Sequence, residues 1–164
     1  MATVNKNLSE YDLNLLPSAN GMKIGIVVAE WNPQITQGLV KGATETLEKC
    51  GCKEIEIHNV PGSFELSLGA QFLLEYSKID AVICLGSVVQ GETKHFDFVC
   101  EGTALGIKDV SLKYNKPVIF GVLTDNTIQQ AIDRSGGKHG NKGIEAAITA
   151  IKMIAFQKTI SKKQ

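Results

Sequence analysis

The chain has 164 residues, and its 17 basic and 17 acidic side chains cancel to a formal net charge of zero. That length suits one domain that buries about 70% of its unfolded surface in a single core. The balanced charge offers no basic stripe for nucleic acid and no acidic tail, and no stretch approaches the ~18 apolar residues of a membrane span.

Residues 1–21 form a polar arm without the apolar stretch of a signal peptide, and reduced thiols in the cytoplasm are the default expectation for the four cysteines. Residues 23–29 (Lys-Ile-Gly-Ile-Val-Val-Ala) read as a fully buried strand, bounded by Gly21 and Asn32-Pro33. A helix is expected over 35–49, where Ile35, Leu39, Ala43 and Leu47 recur every fourth residue and Gly51 is placed to cap the end. Residues 54–60 alternate, with Ile55 and Ile57 on one side, as in a strand near a sheet edge. Pro61-Gly62-Ser63 breaks the chain before a helix over 64–76. A second buried strand spans 80–85, and a glycine turn then leads to a long helix over 96–114. A further buried strand covers 117–123, a short helix 127–134, a glycine-rich loop 135–141, and a last helix 142–157. Residues 158–164 read as a fraying polar tail. Strands that alternate with helices imply an α/β fold, a parallel sheet with right-handed crossovers.

The four cysteines (Cys50, Cys52, Cys84, Cys100) do not form a ligand set. Cys50-Gly51-Cys52 is too close for a zinc knuckle, and Cys84 sits in a strand as a small apolar residue. No metal and no cofactor is implied.

In open parallel sheets, ligands gather beyond the carboxyl ends of the strands. Here those ends are Glu30-Trp31-Asn32, Pro61 to Glu65, Gly86 to Thr93 and Leu123-Thr124, most of them polar. The junction after the strand at 80–85 is the most informative. A glycine turn that opens a helix presents free amides at the positive end of the helix dipole, which suits a phosphate. His95, two residues beyond Thr93, is a side chain suited to proton transfer and is placed to move protons beside that anion. Equally, Gly91 makes only a turn, Thr93 only a cap, and His95 lies at the surface. Trp31, the sole tryptophan, reads as a core or interface plug or as a stacking platform for a planar heteroaromatic ring. Glu65 either favours a helix dipole or accepts hydrogen bonds from hydroxyls. Arg134 either complements a helix C-terminus or binds phosphate. The run Gly136 to Gly143 is not a P-loop, because it follows a helix and lacks Gly-Lys-Ser/Thr. The first strand is not followed by Gly-x-Gly-x-x-Gly.

Taken together, Trp31-Asn32, Val60 to Glu65, Leu85 to His95, Pro117 to Gly121 and Arg134 through Gly143 resemble the 6,7-dimethyl-8-ribityllumazine synthases of riboflavin biosynthesis, in the right order over residues 23–156. The resemblance implies a three-layer α/β/α sandwich of flavodoxin-like type, with a mainly parallel four-stranded sheet. The expected reaction condenses 5-amino-6-(D-ribitylamino)uracil with 3,4-dihydroxy-2-butanone 4-phosphate and releases phosphate. Trp31 would stack on the pyrimidine, Ser63, Phe64 and Glu65 would hold the ribityl chain, and Ser87, Val88 and Val89 would meet the pyrimidine edge through backbone groups. Glu92 and Thr93 would cradle the phosphate and His95 would move protons. Phe120 and Arg134 would come from a neighbouring subunit, with Arg134 on the phosphate. The family forms pentamers with active sites at subunit interfaces. The short run Ser135 to Lys142 resembles members that assemble pentamers into an icosahedral capsid, and the N-terminal arm is expected to lie against a neighbour. The alternatives are an archaeal-type riboflavin synthase, which dismutates two lumazines, and a non-catalytic flavin-binding shell protein.

Overall fold

In the computed structural model, which describes residue 7 and residues 9–162, the sheet has four parallel strands in the order β2-β1-β3-β4. These are β1 (Lys23–Ala29), β2 (Glu54–Val60), β3 (Ala81–Val89) and β4 (Val118–Asp125). The helices are α1 (Pro33–Lys49), α2 (Leu66–Tyr76), α3 (His95–Tyr114), α4 (Ile128–Arg134) and α5 (Lys142–Ser161). The alternating strands and helices thus give the expected α/β architecture.

Two apolar clusters sandwich the sheet. Ile24, Ile26, Ile83 and Leu85 meet Leu39, Leu47, Ala147 and Ile151 of α1 and α5 on one face. Val27, Val82, Cys84 and Val122 meet Leu66, Ala70 and Ile107 of α2 and α3 on the other. Because side chains alternate along a strand, each central strand must be apolar on both faces, which is why β1 and β3 read as unbroken apolar runs. β2 lies at the edge, as its alternation foretells, and Ile57 stays exposed.

Helix ends follow local chemistry. At the C-terminus of α1 the Gly51 amide donates to Glu48 O (2.9 Å) and that of Cys52 to Leu47 O (2.9 Å), with Gly51 at φ +91°, where a Cβ is disfavoured. Thr127 and Gln130 cap α4 reciprocally.

Several boundaries differ from the sequence expectation. β3 continues through Gly86 to Val89 rather than ending at Leu85, because Ser87–Val89 pair with Leu123–Asp125 of β4, which itself ends two residues later than expected. Residues 63–65 form a 3-10 turn before α2. The glycine-rich loop folds into a small antiparallel hairpin, β5 (Ser135–Gly137) and β6 (Gly140–Asn141). The tail is helical as far as Ser161, since lysine continues a helix well once it is nucleated; Thr159 is accommodated with its Oγ1 donating back to Ala155 O at 2.8 Å. Residues 163–164, and residues 1–6 and 8 of the N-terminal arm, lie outside the described residues. Ser9 meets the chain's own hairpin, where its Oγ accepts the Asn141 amide at 3.0 Å.

Asn141 also joins α1, the hairpin and α5. Its Nδ2 donates to Gly38 O (2.8 Å) and Ser135 O (3.2 Å), and its Oδ1 accepts the Gly143 amide (2.8 Å). The helices approach so closely there that a Cβ on Gly143 would run into the Leu39 carbonyl. Backbone at that point can yield only by moving α1. Gly143→Ala is therefore expected to destabilise the fold by at least about 1–3 kcal/mol, the usual cost of overpacking, read as a fall in the thermal or denaturant midpoint. An unchanged midpoint would contradict this helix crossing.

Candidate functional site

The carboxyl ends of β1, β2 and β3 come together through three backbone devices. First, β1 runs on past Ala29, because the Glu30 amide donates to Val60 O at 2.9 Å. Asn32 then turns the chain in the left-handed region (φ 57°), which asparagine tolerates better than most residues. Its Nδ2 donates to Ser87 O at 3.0 Å, tying the start of α1 to the end of β3. Trp31, between these two points, is 71% exposed. It is therefore not a plug in the core of its own chain.

Second, the missing side chain at Gly86 admits Ser63, whose Oγ would stand 2.6 Å from a Cβ there. Ser63 is buried, and its carbonyl accepts a hydrogen bond from Thr103 Oγ1 of α3 at 3.1 Å. The 3-10 turn that follows carries Phe64 over Gly102 of α3, where a Cβ would meet the ring at 2.6 Å. Third, Gly62 leaves a bare patch flanked by Glu65 Oε2 and Trp31 Cδ1, 2.9 and 3.6 Å from where its Cβ would be. The fold thus brings Trp31, Ser63, Phe64, Glu65 and Ser87 to one end of the sheet. Val88 and Val89 are half-buried beside them, and Ser87 Oγ is buried without a partner among the described residues.

Beyond Val89 the Gln90 amide still pairs with Asp125 O (2.9 Å), so the free turn begins at Gly91 rather than at Gly86. Gly91 through His95 are exposed, and among the described residues the amides of Gly91, Glu92 and Thr93 have no acceptor. Thr93 Oγ1 accepts the His95 amide at 3.4 Å, so it serves the first turn of α3 although Lys94 holds the N-cap position. Free amides in a turn that leads into the N-terminus of a 20-residue helix are a place for an anion. Glu92 can contribute only its amide, because its carboxylate has the sign of the anion.

Phe120 stands apart from this group, and the polar contacts of Arg134 among the described residues reach none of its side chains. Phe120 faces Cys84 across the β3–β4 ladder, five residues short of the Val89–Asp125 pair, or about 16 Å at strand rise. It shares its side of the sheet with Val118 and Val122, at the uncovered edge. Arg134 ends α4, whose Ala131 packs into the opposite cluster. Its Nη1 donates to Gln130 O at 3.1 Å and lies 3.7 Å from Asp125 Oδ1.

Asp125 was not singled out in the sequence, where only its place at the end of an apolar strand marks it. The residue is 7% exposed, and its Oδ2 has no hydrogen-bond partner among the described residues. Burial raises its carboxyl pKa above the ordinary value, against the opposing pull of Arg134. Burial likewise pushes the Cys84 thiol far up, so it stays protonated and inert within the sheet. Among the described residues no group of three or more acidic, histidine or cysteine side chains is placed to hold a metal. A groove of about 690 Å³ lies between α1 and the exposed side of β2, lined by Val28, Val40, Thr44 and Ile57, and it includes none of the site residues.

Residues 21–158 match the family model described as 6,7-dimethyl-8-ribityllumazine synthase. Proteins that carry this name are similar over nearly the whole chain. One from Flavobacterium johnsoniae is 59% identical, over 98% of this chain and 86% of its own length. One from Parabacteroides distasonis is 58% identical (95% and 99%), and one from Cytophaga hutchinsonii is 58% identical (94% and 98%).

The raised carboxyl of Asp125 carries a stability consequence. Below the ordinary carboxylate range the group is protonated in both folded and unfolded chains and costs nothing. As pH rises through that range the unfolded chain ionises first, so folding loses stability until the folded group ionises too. Asp125→Asn is therefore expected to raise the unfolding midpoint at neutral pH, with the gain vanishing below about pH 4. A gain that persists unchanged in acid would contradict the buried-charge account.

Proposed function

Because the chain belongs to the 6,7-dimethyl-8-ribityllumazine synthase family, we propose that it acts as a single synthase domain on the two substrates of that reaction. It joins 5-amino-6-(D-ribitylamino)uracil to 3,4-dihydroxy-2-butanone 4-phosphate. The pyrimidine amine condenses with the ketone to an imine and water leaves. Phosphate is then eliminated, and ring closure with loss of a second water gives the lumazine. The observation that carries this reading is the strand-end cluster of Trp31, Ser63, Glu65 and Ser87 beside the free amides of Gly91 to Thr93.

Each side chain has a chemical task in this reading. Trp31 supplies an exposed aromatic face for the pyrimidine, Glu65 accepts hydrogen bonds from ribityl hydroxyls, and backbone groups of Ser87, Val88 and Val89 read the pyrimidine edge. The Gly91–Thr93 amides hold the phosphate and so anchor the substrate while its far end reacts. His95, exposed at the start of α3, moves protons in the condensation and elimination, each of which is a proton transfer plus positioning.

Phe120 and Arg134 act in the site of an adjacent subunit. Their separation on opposite sides of the sheet supports this division. The assembly is a pentamer, closed further into an icosahedral shell in keeping with the short Ser135–Asn141 hairpin, and it works in the cytoplasm. Sedimentation much faster than a lone pentamer checks the shell. The family match does not favour a riboflavin synthase or a non-catalytic shell protein.

The test is to mix the purified protein with both substrates and follow the fluorescent lumazine. Arg134→Ala is expected to raise KM for the butanone phosphate about ten- to a hundredfold, the worth of a charge-assisted hydrogen bond, and to leave that for the pyrimidine nearly unchanged. His95→Ala is expected to lower kcat by about a hundredfold, the low end for acid–base help, with both KM values nearly intact. No consumption of the butanone phosphate by the unaltered protein would refute the assigned reaction.

A further inference from the structure

Among the described residues, Asp125 is the one carboxylate paired with the guanidinium that the proposed function assigns to phosphate. Its geometry is unusual for a supporting partner. The 3.7 Å separation of Arg134 Nη1 from Asp125 Oδ1 is too long for a hydrogen bond, while the same Nη1 donates to the Gln130 carbonyl at 3.1 Å. The guanidinium is therefore already held by its own helix. What Asp125 adds is charge rather than a tether.

That charge is poorly neutralised. Asp125 Oδ2 is buried and has no hydrogen-bond partner among the described residues, so donors do not spread the charge. The residue itself cannot retreat. Its carbonyl accepts the Gln90 amide at 2.9 Å, and it faces Val89 in the β3–β4 ladder, with the α4 cap following directly at Thr127. A carboxylate fixed so close to a cation offsets part of the attraction the cation has for any third, negative group.

We propose that Asp125 is a built-in counter-anion for Arg134, competing with the phosphate of substrate and product and loosening its hold on both. This rests on the reading of Arg134 as a phosphate ligand. The chemical logic fits a reaction that must release inorganic phosphate after every turnover. A guanidinium with no competing anion would bind the departing ion as readily as the arriving ester. With Asp125 in place, the cation falls back on an internal partner when the ion leaves. Asp125 touches no reacting atom in this account and works through Arg134 alone.

The experiment uses the assembled protein with inorganic phosphate as the probe, measured as the inhibition constant against the butanone phosphate, together with KM for that substrate. Asp125→Asn keeps the shape of the side chain and removes its charge. It is expected to lower both constants about three- to tenfold, in keeping with a partly exposed pair, while KM for the pyrimidine stays put. Damage to the fold would weaken phosphate binding, so a tightening cannot come from a merely structural role. Asp125→Ala removes the same charge without placing a new amide in the site, and is expected to give the same tightening if Asn disturbs the assembly. In an Arg134→Ala background the effect of Asp125→Asn is expected to vanish, because no cation remains for Asp125 to offset. Unchanged or weaker phosphate binding in both Asp125 variants, with Arg134→Ala still weakening it, would overturn the counter-anion and leave the phosphate role of Arg134 standing. Phosphate binding indifferent to Arg134→Ala would overturn both.

Discussion

The end of the sheet depends on the absence of a side chain at Gly86. A Cβ there would stand 2.6 Å from Ser63 Oγ and 3.0 Å from Leu66 Cδ1. Any larger residue would push the Ser63–Glu65 turn off β3 and lift the start of α2 with it. Because the strand is bare, Ser63 reaches the sheet, its carbonyl takes the Thr103 hydroxyl, and Phe64 settles on Gly102. One close approach thus positions parts of β3, α2 and α3 together. Asn32 completes the frame from the other side by holding Ser87 O.

This frame makes the arrangement lopsided. Trp31, Ser63, Glu65 and Ser87 stand together at the ends of β1, β2 and β3. The aromatic on β4 and the cation on α4 are turned to opposite sides of the sheet. Edge position explains the exposure of Phe120, since β4 has a neighbour on one side only. In the proposed assembly, a second chain covers that edge and contributes what the first lacks.

The strands and helices were legible in the sequence wherever burial imposes a period. β1 is apolar at every buried position, and α1 repeats Ile35, Leu39, Ala43 and Leu47. Glycine was the harder residue to read. Gly51 does cap α1, but Gly86 lies within a strand, and nothing local tells a turn glycine from one that admits a neighbour 23 residues earlier in the chain. The same limit applies to the Ser135–Asn141 run, whose hairpin is pinned by Asn141 reaching Gly38 in α1. Of the site, the strand-end residues could be marked from topology alone. For Trp31 and Arg134 the residues offered two readings each, between which the family resemblance chose, and Phe120 was marked by that resemblance alone. Asp125 escaped notice because its burial and its missing hydrogen bond exist only in three dimensions.

The central claim is that a working site takes residues from two chains. It is tested most directly by subunit complementation between His95→Ala and Arg134→Ala proteins, dissociated and reassembled together. In an equal, randomly assembled mixture about a quarter of the interfaces regain both residues, one from each side. The account predicts that lumazine formation by the mixture rises above the mean of the two parent variants. Activity equal to that mean, in mixtures shown to have exchanged chains, would contradict it and place Arg134 in the service of its own subunit.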